Sequence, residues 1–118
     1  GIIENTIKEF KKINPNNKIV ASVGPCIGKK NYEVDSIFYK RFISQSKKNK
    51  FYFIKKNNDK KLFNLRKYIN DKLIKLKIKV DLINHDTFKE KSLFFSYRRS
   101  KKLNEKDYGR CISVISLI

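Results

Sequence analysis

The apolar positions of the chain fall into runs of two different periods. Ile3, Ile7, Phe10 and Ile13 recur at helical spacing, so an amphipathic helix is predicted to open the chain, with Asn14-Pro15-Asn16-Asn17 ending it. Lys18 to Val23 alternates and is β-branched at Ile19, Val20 and Val23, the pattern of a strand. Gly24-Pro25-Cys26-Ile27-Gly28 then reads as a tight loop, its glycines expected to supply positive φ and Pro25 to restrain its neighbour. Tyr32-Glu33-Val34 leads into a second predicted helix, whose apolar positions are Ile37, Phe38, Phe42 and Ile43. Ser44 to Lys50 is polar and is predicted to be a loop, and Phe51 to Ile54 a short strand closed by the turn Asn57-Asn58-Asp59. Leu65, Ile69, Leu73 and Leu76 mark a third helix, and Lys79 to Asn84 a further strand. Leu93 to Arg99 is dense in aromatics, Lys101 to Tyr108 is a charged loop, and Gly109-Arg110 opens a predicted last strand running to Ile118. Helices alternating with strands predict an α/β fold with a mixed, layered sheet, all of residues 1–118 lying in one domain.

Composition narrows this picture. At 118 residues the chain holds one core, and 40% apolar content is enough to build it despite 34% charged residues. No apolar run approaches the ~20 residues of a membrane span, and no basic-then-apolar segment opens the chain, so cytoplasm is the expected compartment. The chain lacks Met and begins with Gly1 at the head of a ready-made helix, which is expected of a piece of something longer; its C-terminus reads as natural. The net charge of +18 admits a nucleic-acid partner, but the lysines are spread along the chain and only five of the cations are Arg, which favours compositional bias of an AT-rich genome.

Candidate chemistry is sparse. Gly24 to Lys30 is not a triphosphate loop, since three residues separate its glycines and Lys30 stands where Ser or Thr would bind magnesium. Cys26 and Cys111 have no metal-knuckle spacing and read as free thiols. A Cys26–His85 nucleophile pair would require the fold to join them, and His85-Asp86 alone is too few donors for zinc. Phe94-Phe95-Ser96-Tyr97-Arg98-Arg99 allows two readings. One sets an Arg against a phosphate or ribose with an aromatic stacked on a base. The other is a strand with aromatics in the core and arginines paired to carboxylates such as Glu33 or Asp35.

Gly24-Pro25-Cys26-Ile27-Gly28, Tyr32-Glu33-Val34, Asp86-Thr87, Phe94 to Arg99 and Gly109-Arg110 occur in an order that resembles laccase-domain proteins, and the AT-rich character resembles that of a rickettsia-type bacterium. These proteins were formerly called multicopper polyphenol oxidases and are also linked to peptidoglycan editing. The resemblance covers essentially the whole chain and implies the C-terminal half of a laccase-type α/β domain. It implies, for the full-length family, zinc-dependent (or copper-dependent) purine nucleoside phosphorylase and adenosine deaminase activity on purine nucleosides and phosphate. The two His and one Cys that hold the metal lie, by the same resemblance, in an N-terminal half that precedes this chain, the last His in a His-Ala-Gly-Trp-Arg-Gly type motif. No metal is therefore expected to bind to this chain alone, and a separate N-terminal half is an expected partner. Tyr97, Arg98 and Arg99 are the candidate substrate contacts; Gly24, Pro25, Gly28, Tyr32, Glu33, Gly109 and Arg110 are motif positions of structural character. Two departures stand out: relatives often carry Cys where this chain has Asp86, and a Cys after the glycine loop where it has Lys30 or Asn31. A decayed remnant without function and a small basic nucleic-acid-binding module are the alternatives.

Overall fold

A computed structural model describes residues 1–116. The chain is an α/β fold with two small sheets and two cores. Helix α1 spans Ile2–Ile13 and strand β1 Val20–Val23. Strand β2 (Glu33–Asp35) runs directly into helix α2 (Ser36–Gln45), because the Asp35 carboxylate accepts the Phe38 amide at 2.7 Å and caps the first turn. A 3-10 helix over Lys47–Tyr52 precedes strands β3 (Phe53–Lys55) and β4 (Lys60–Phe63). Helix α3 (Leu65–Lys75), capped by Asn64, is followed by strand β5 (Lys79–Leu82) and the short helix α4 (Tyr97–Lys102).

Strands β2, β4 and β3 form an antiparallel sheet in that order. Its core is aromatic: Val34, Tyr52 and Phe63 are buried, with Tyr32, Phe38, Phe42, Phe53, Leu65 and Tyr68 packed around them. Phe63 is 1% exposed and sits between Phe53 and Phe42, ring centroids 4.8 and 4.9 Å away. Strands β1 and β5 form a separate two-stranded parallel sheet, Val20 opposite Lys79 and Val23 opposite Leu82. Its core is aliphatic: Val23, Leu73 and Ile78 are buried against Ile3, Ile7, Ile69 and Val80, among others. Helix α3 serves both cores, giving Leu65 and Tyr68 to one and Ile69 and Leu73 to the other.

The structure revises several of the predicted elements, and Phe51-Tyr52, expected in a strand, close the 3-10 helix instead. Tyr32-Glu33-Val34 does lead into a helix, but Glu33 and Val34 belong to an unpredicted strand, β2, hydrogen-bonded to β4. Ser44 to Lys50 is not a loop but the end of α2 and most of the 3-10 helix, joined through Ser46, whose hydroxyl accepts the Lys48 amide. Strand β4 went unforeseen because Lys60 and Lys61 mask a hairpin whose one deeply buried side chain is Phe63. Phe94 to Arg99 is not a strand: Ser96 caps α4 by accepting the Arg99 amide at 3.3 Å, so the residues after it coil. Of the predicted last strand, residues 109–116 pair with no strand, and Ile112 and Val114 are exposed; Leu117 and Ile118 lie outside the described residues.

The molecule is open. Its radius of gyration is 16.2 Å, against ~13.5 Å for a compact domain of this length. Its accessible surface is 9462 Å², whereas a compact monomer of this mass exposes roughly 6,700 Å².

Candidate functional site

Parallel pairing of β1 and β5 sends two loops out of the same end of the sheet. Ile83 donates its amide to the Val23 carbonyl at 3.0 Å, and a bridge between Cys26 and Asp86 keeps the two loops side by side. Ligand clefts of open α/β sheets lie beyond such carboxyl ends. A cleft of about 680 Å³ opens here, lined by the loop after β1 (Ile27 to Asn31), the start of α3 (Asn64, Arg66, Lys67) and the loop after β5 (Asn84, Asp86, Lys89, Glu90).

Asp86 ties this cleft together. Its carboxylate accepts Asn31 Nδ2 at 2.7 Å and the amides of Phe88 and Lys89 at 2.9 and 3.3 Å. Burial pushes this carboxyl upward, but the backbone of Gly28, the side chain of Asn31 and the two amides outweigh it and hold it below the usual Asp range. Gly28 is required by space: a Cβ there would lie 2.2 Å from Asp86 Oδ2. The expectation of positive φ at the loop glycines is corrected, since no glycine adopts it; the left-handed residues are Lys77 and Asn104. Asn31 and Asp86 are thus hydrogen-bonded partners.

The other walls are basic. Arg66 Nη1 donates to Asn84 Oδ1 at 2.6 Å and Nη2 to the His85 carbonyl, while its buried Nε has no partner. Lys29, Lys30, Lys67 and Lys89 join it against two carboxylates, Asp86 and Glu90. Glu90 is occupied internally, accepting the Asp86 amide at 2.7 Å and meeting His85 Nδ1 at 2.6 Å; the amide and then His85 hold its carboxyl below the usual range. The cleft is therefore suited to an anion.

His85 turns to Glu90 and to the Phe94 ring, 5.6 Å away, rather than to Cys26. Burial raises the Cys26 thiol above its ordinary value, with Arg66 only partly opposing it, so this is not an activated nucleophile. Cys111 is exposed, its Sγ 3.8 Å from the Phe95 carbonyl. Among the described residues no three His, Cys, Asp or Glu side chains converge, so the donors present do not fit zinc or copper.

The three candidate contacts on α4 diverge. Arg98 stacks over Tyr32 (5.3 Å to the centroid) and donates to the Glu33 carbonyl at 2.9 Å. It lines a smaller cleft of about 380 Å³ that shares Lys30 and Asn31 with the first. Arg99 clamps a loop by donating to the carbonyls of Thr87, Phe88 and Phe94. Tyr97 points elsewhere, edge-on to Tyr108 at 5.0 Å. The arginines thus hydrogen-bond carbonyls, where pairing to carboxylates was the structural expectation; Glu33's own carboxylate meets Lys56. Of the remaining motif residues, Gly24 faces Ser113 from the loop entered at Pro25, Gly109 lies under the Phe95 ring, and Arg110 folds over Tyr108 at 4.2 Å. Sequence reasoning missed Arg66, Lys67 and Asn84 as cleft residues, because only the strand pairing brings them to the glycine loop.

All of residues 1–118 match the model of the multi-copper polyphenol oxidoreductase laccase family, and the chain is a member of it. Among individual relatives, it is 32% identical over 119 residues to a purine nucleoside phosphorylase of Rickettsia conorii, covering 98% of this chain and 48% of that protein. It is 36% identical to a purine nucleoside phosphorylase of Haemophilus influenzae, covering 98% and 46%, and 32% identical to one of Escherichia coli, covering 100% and 46%. The chain spans about half the length of the curated relatives it matches.

Proposed function

We propose that residues 1–118 are the C-terminal part of a single laccase-type domain, and that the assembled domain is a metal-dependent purine nucleoside phosphorylase. In it, this chain supplies the anion-binding wall and the metal ligands come from the other half. The observation that carries the reading is the basic cleft beyond β1 and β5, whose two carboxylates are already spent on internal hydrogen bonds. Phosphorolysis joins a phosphate oxygen to the ribosyl C1′ as the purine leaves with the bonding electron pair. Cations that hold the phosphate dianion in place lower the cost of that encounter. Arg66 and Lys89 are assigned to the phosphate, and Arg98, at the adjoining cleft, is the one residue of Tyr97, Arg98 and Arg99 assigned to substrate. The relatives' printed activity and the half-length match support this reading. The chain alone is proposed to be inactive, since no step is available to it through a metal it does not seat.

The test joins this chain to the N-terminal half of the Rickettsia conorii relative. The fusion is expected to bind zinc and to release hypoxanthine from inosine in proportion to phosphate, and Arg66→Met to raise the KM for phosphate. Tight zinc binding and inosine cleavage by the isolated chain would overturn the proposal.

A further inference from the structure

An apolar groove of about 280 Å³ runs between α1 and β1, lined by Ile2, Phe10, Val20 and Ile115 among others. A second groove of about 370 Å³ continues it and shares Phe10, Val20 and Ile115. These side chains are bare in the isolated chain: Ile2 is 83%, Val20 48% and Ile115 70% exposed. Among the described residues, strand β1 pairs with β5. A parallel sheet is ordinarily covered on both faces, and clustered apolar surface of this kind marks a buried interface.

We infer that the α1–β1 face is the docking surface for the part of the domain that the relatives carry and this chain does not. The inference rests on the reading above that the chain is part of a laccase-type domain. The relatives are about twice as long as this chain. The chain as a whole exposes roughly 2,800 Å² more than a compact monomer of its mass, enough to furnish one side of an obligate interface, whose total counts both partners. A second copy is the poorer occupant, because two chains each carrying +18 repel on approach. The occupant therefore presents an apolar face and a net charge less basic than this chain's own.

The experiment titrates the separately produced N-terminal half of the Rickettsia conorii relative onto this chain, without reference to activity. The wild type is expected to bind, and I2K/I115K to bind about tenfold or more weakly, since each Lys would carry a charge into the contact. Phe51→Lys, at an apolar residue of the 3-10 helix that is 75% exposed, is expected to change affinity less than about twofold. Hydrogen exchange on the wild-type complex should show protection over 2–13 and 19–23, which keeps the question answerable if the double variant misfolds. No binding by the wild type, equal binding by I2K/I115K, equal loss in Phe51→Lys, or self-association abolished by I2K/I115K would each overturn the inference. A complex that forms on this face yet leaves inosine intact would instead remove the phosphorylase reading and leave the docking surface standing.

Discussion

The antiparallel and parallel halves of the molecule each bury three apolar side chains, yet they differ in how they are closed. The aromatic core is assembled from residues 32–68, near neighbours in the chain, and its rings surround Phe63 on all sides. Strands β3 and β4 are close neighbours in the chain and pair antiparallel, so this core closes locally. The aliphatic core joins Ile3 to Val80, and the parallel sheet beneath it has two strands among the described residues. None of α1 is buried. Parallel strands need long crossovers and cover on both faces, so this is the half in which residues from outside the chain would matter.

Removing the centre of each core tests this contrast. Phe63→Ala is expected to cost about 3–5 kcal/mol, because the surrounding rings cannot collapse into the space. Urea unfolding followed by circular dichroism measures it, and a loss under about 1 kcal/mol would mean that the aromatic cluster does not hold the fold. Leu73→Ala, at the matching position of the aliphatic core, is expected to cost about 2 kcal/mol, since an open core relaxes more readily. Equal losses from the two substitutions would erase the distinction between the halves.

The loops that leave the parallel sheet offer a smaller perturbation. Gly28→Ala places a methyl group 2.2 Å from Asp86 Oδ2. The loop must then shift and loosen the Asp86–Asn31 bond, at an expected cost of about 1–2 kcal/mol. Asp86→Ala in the same background should cost less than it does alone, because the Asn31 bond is already loosened and only those to the Phe88 and Lys89 amides remain to be lost; full additivity of the two losses would show that Gly28 and Asp86 act independently.

Much of this architecture was legible from periodicity. The three long helices stand where Ile3 to Ile13, Ile37 to Ile43 and Leu65 to Leu76 placed them, and strands β1 and β5 fall within the predicted Lys18 to Val23 and Lys79 to Asn84, each two residues shorter. Short elements were not legible. Tyr32-Glu33-Val34 is too brief to show alternation, and β4 shows as polar because Lys60 and Lys61 precede its buried Phe63. Helix α4 was hidden by aromatic spacing that imitates a strand, although Ser96 carried a capping cue. The basic cleft was legible only in part. The glycine loop and Asp86 were visible as motif residues, but Arg66, Asn84 and the Asn31–Asp86 partnership arise from a parallel pairing that joins residues more than fifty positions apart.

The smallest expected effect tests how firmly α1 is attached to the open half. Lys72 Nζ donates to Glu4 Oε1 at 2.6 Å, linking α3 to α1. The hydrogen bond from Lys72 is the leading cause that holds the Glu4 carboxyl at about 2 rather than 4.5. A carboxyl depressed by folding stabilises above its ordinary value and loses that contribution as the pH falls toward the depressed one. Attachment of α1 should therefore weaken between about pH 4.5 and pH 2. Glu4 is partly in solvent, so the pair is worth only about 0.5 kcal/mol. Other carboxyls also titrate in this range, so the informative quantity is the stability of the wild type minus that of Glu4→Gln across the acid limb. That difference should shrink toward zero as the pH falls, with hydrogen exchange in residues 2–13 rising in step. A difference that stays flat would mean that α1 is held by Ile3 and Ile7 alone, and that charge adds nothing to the seam where this half is least closed.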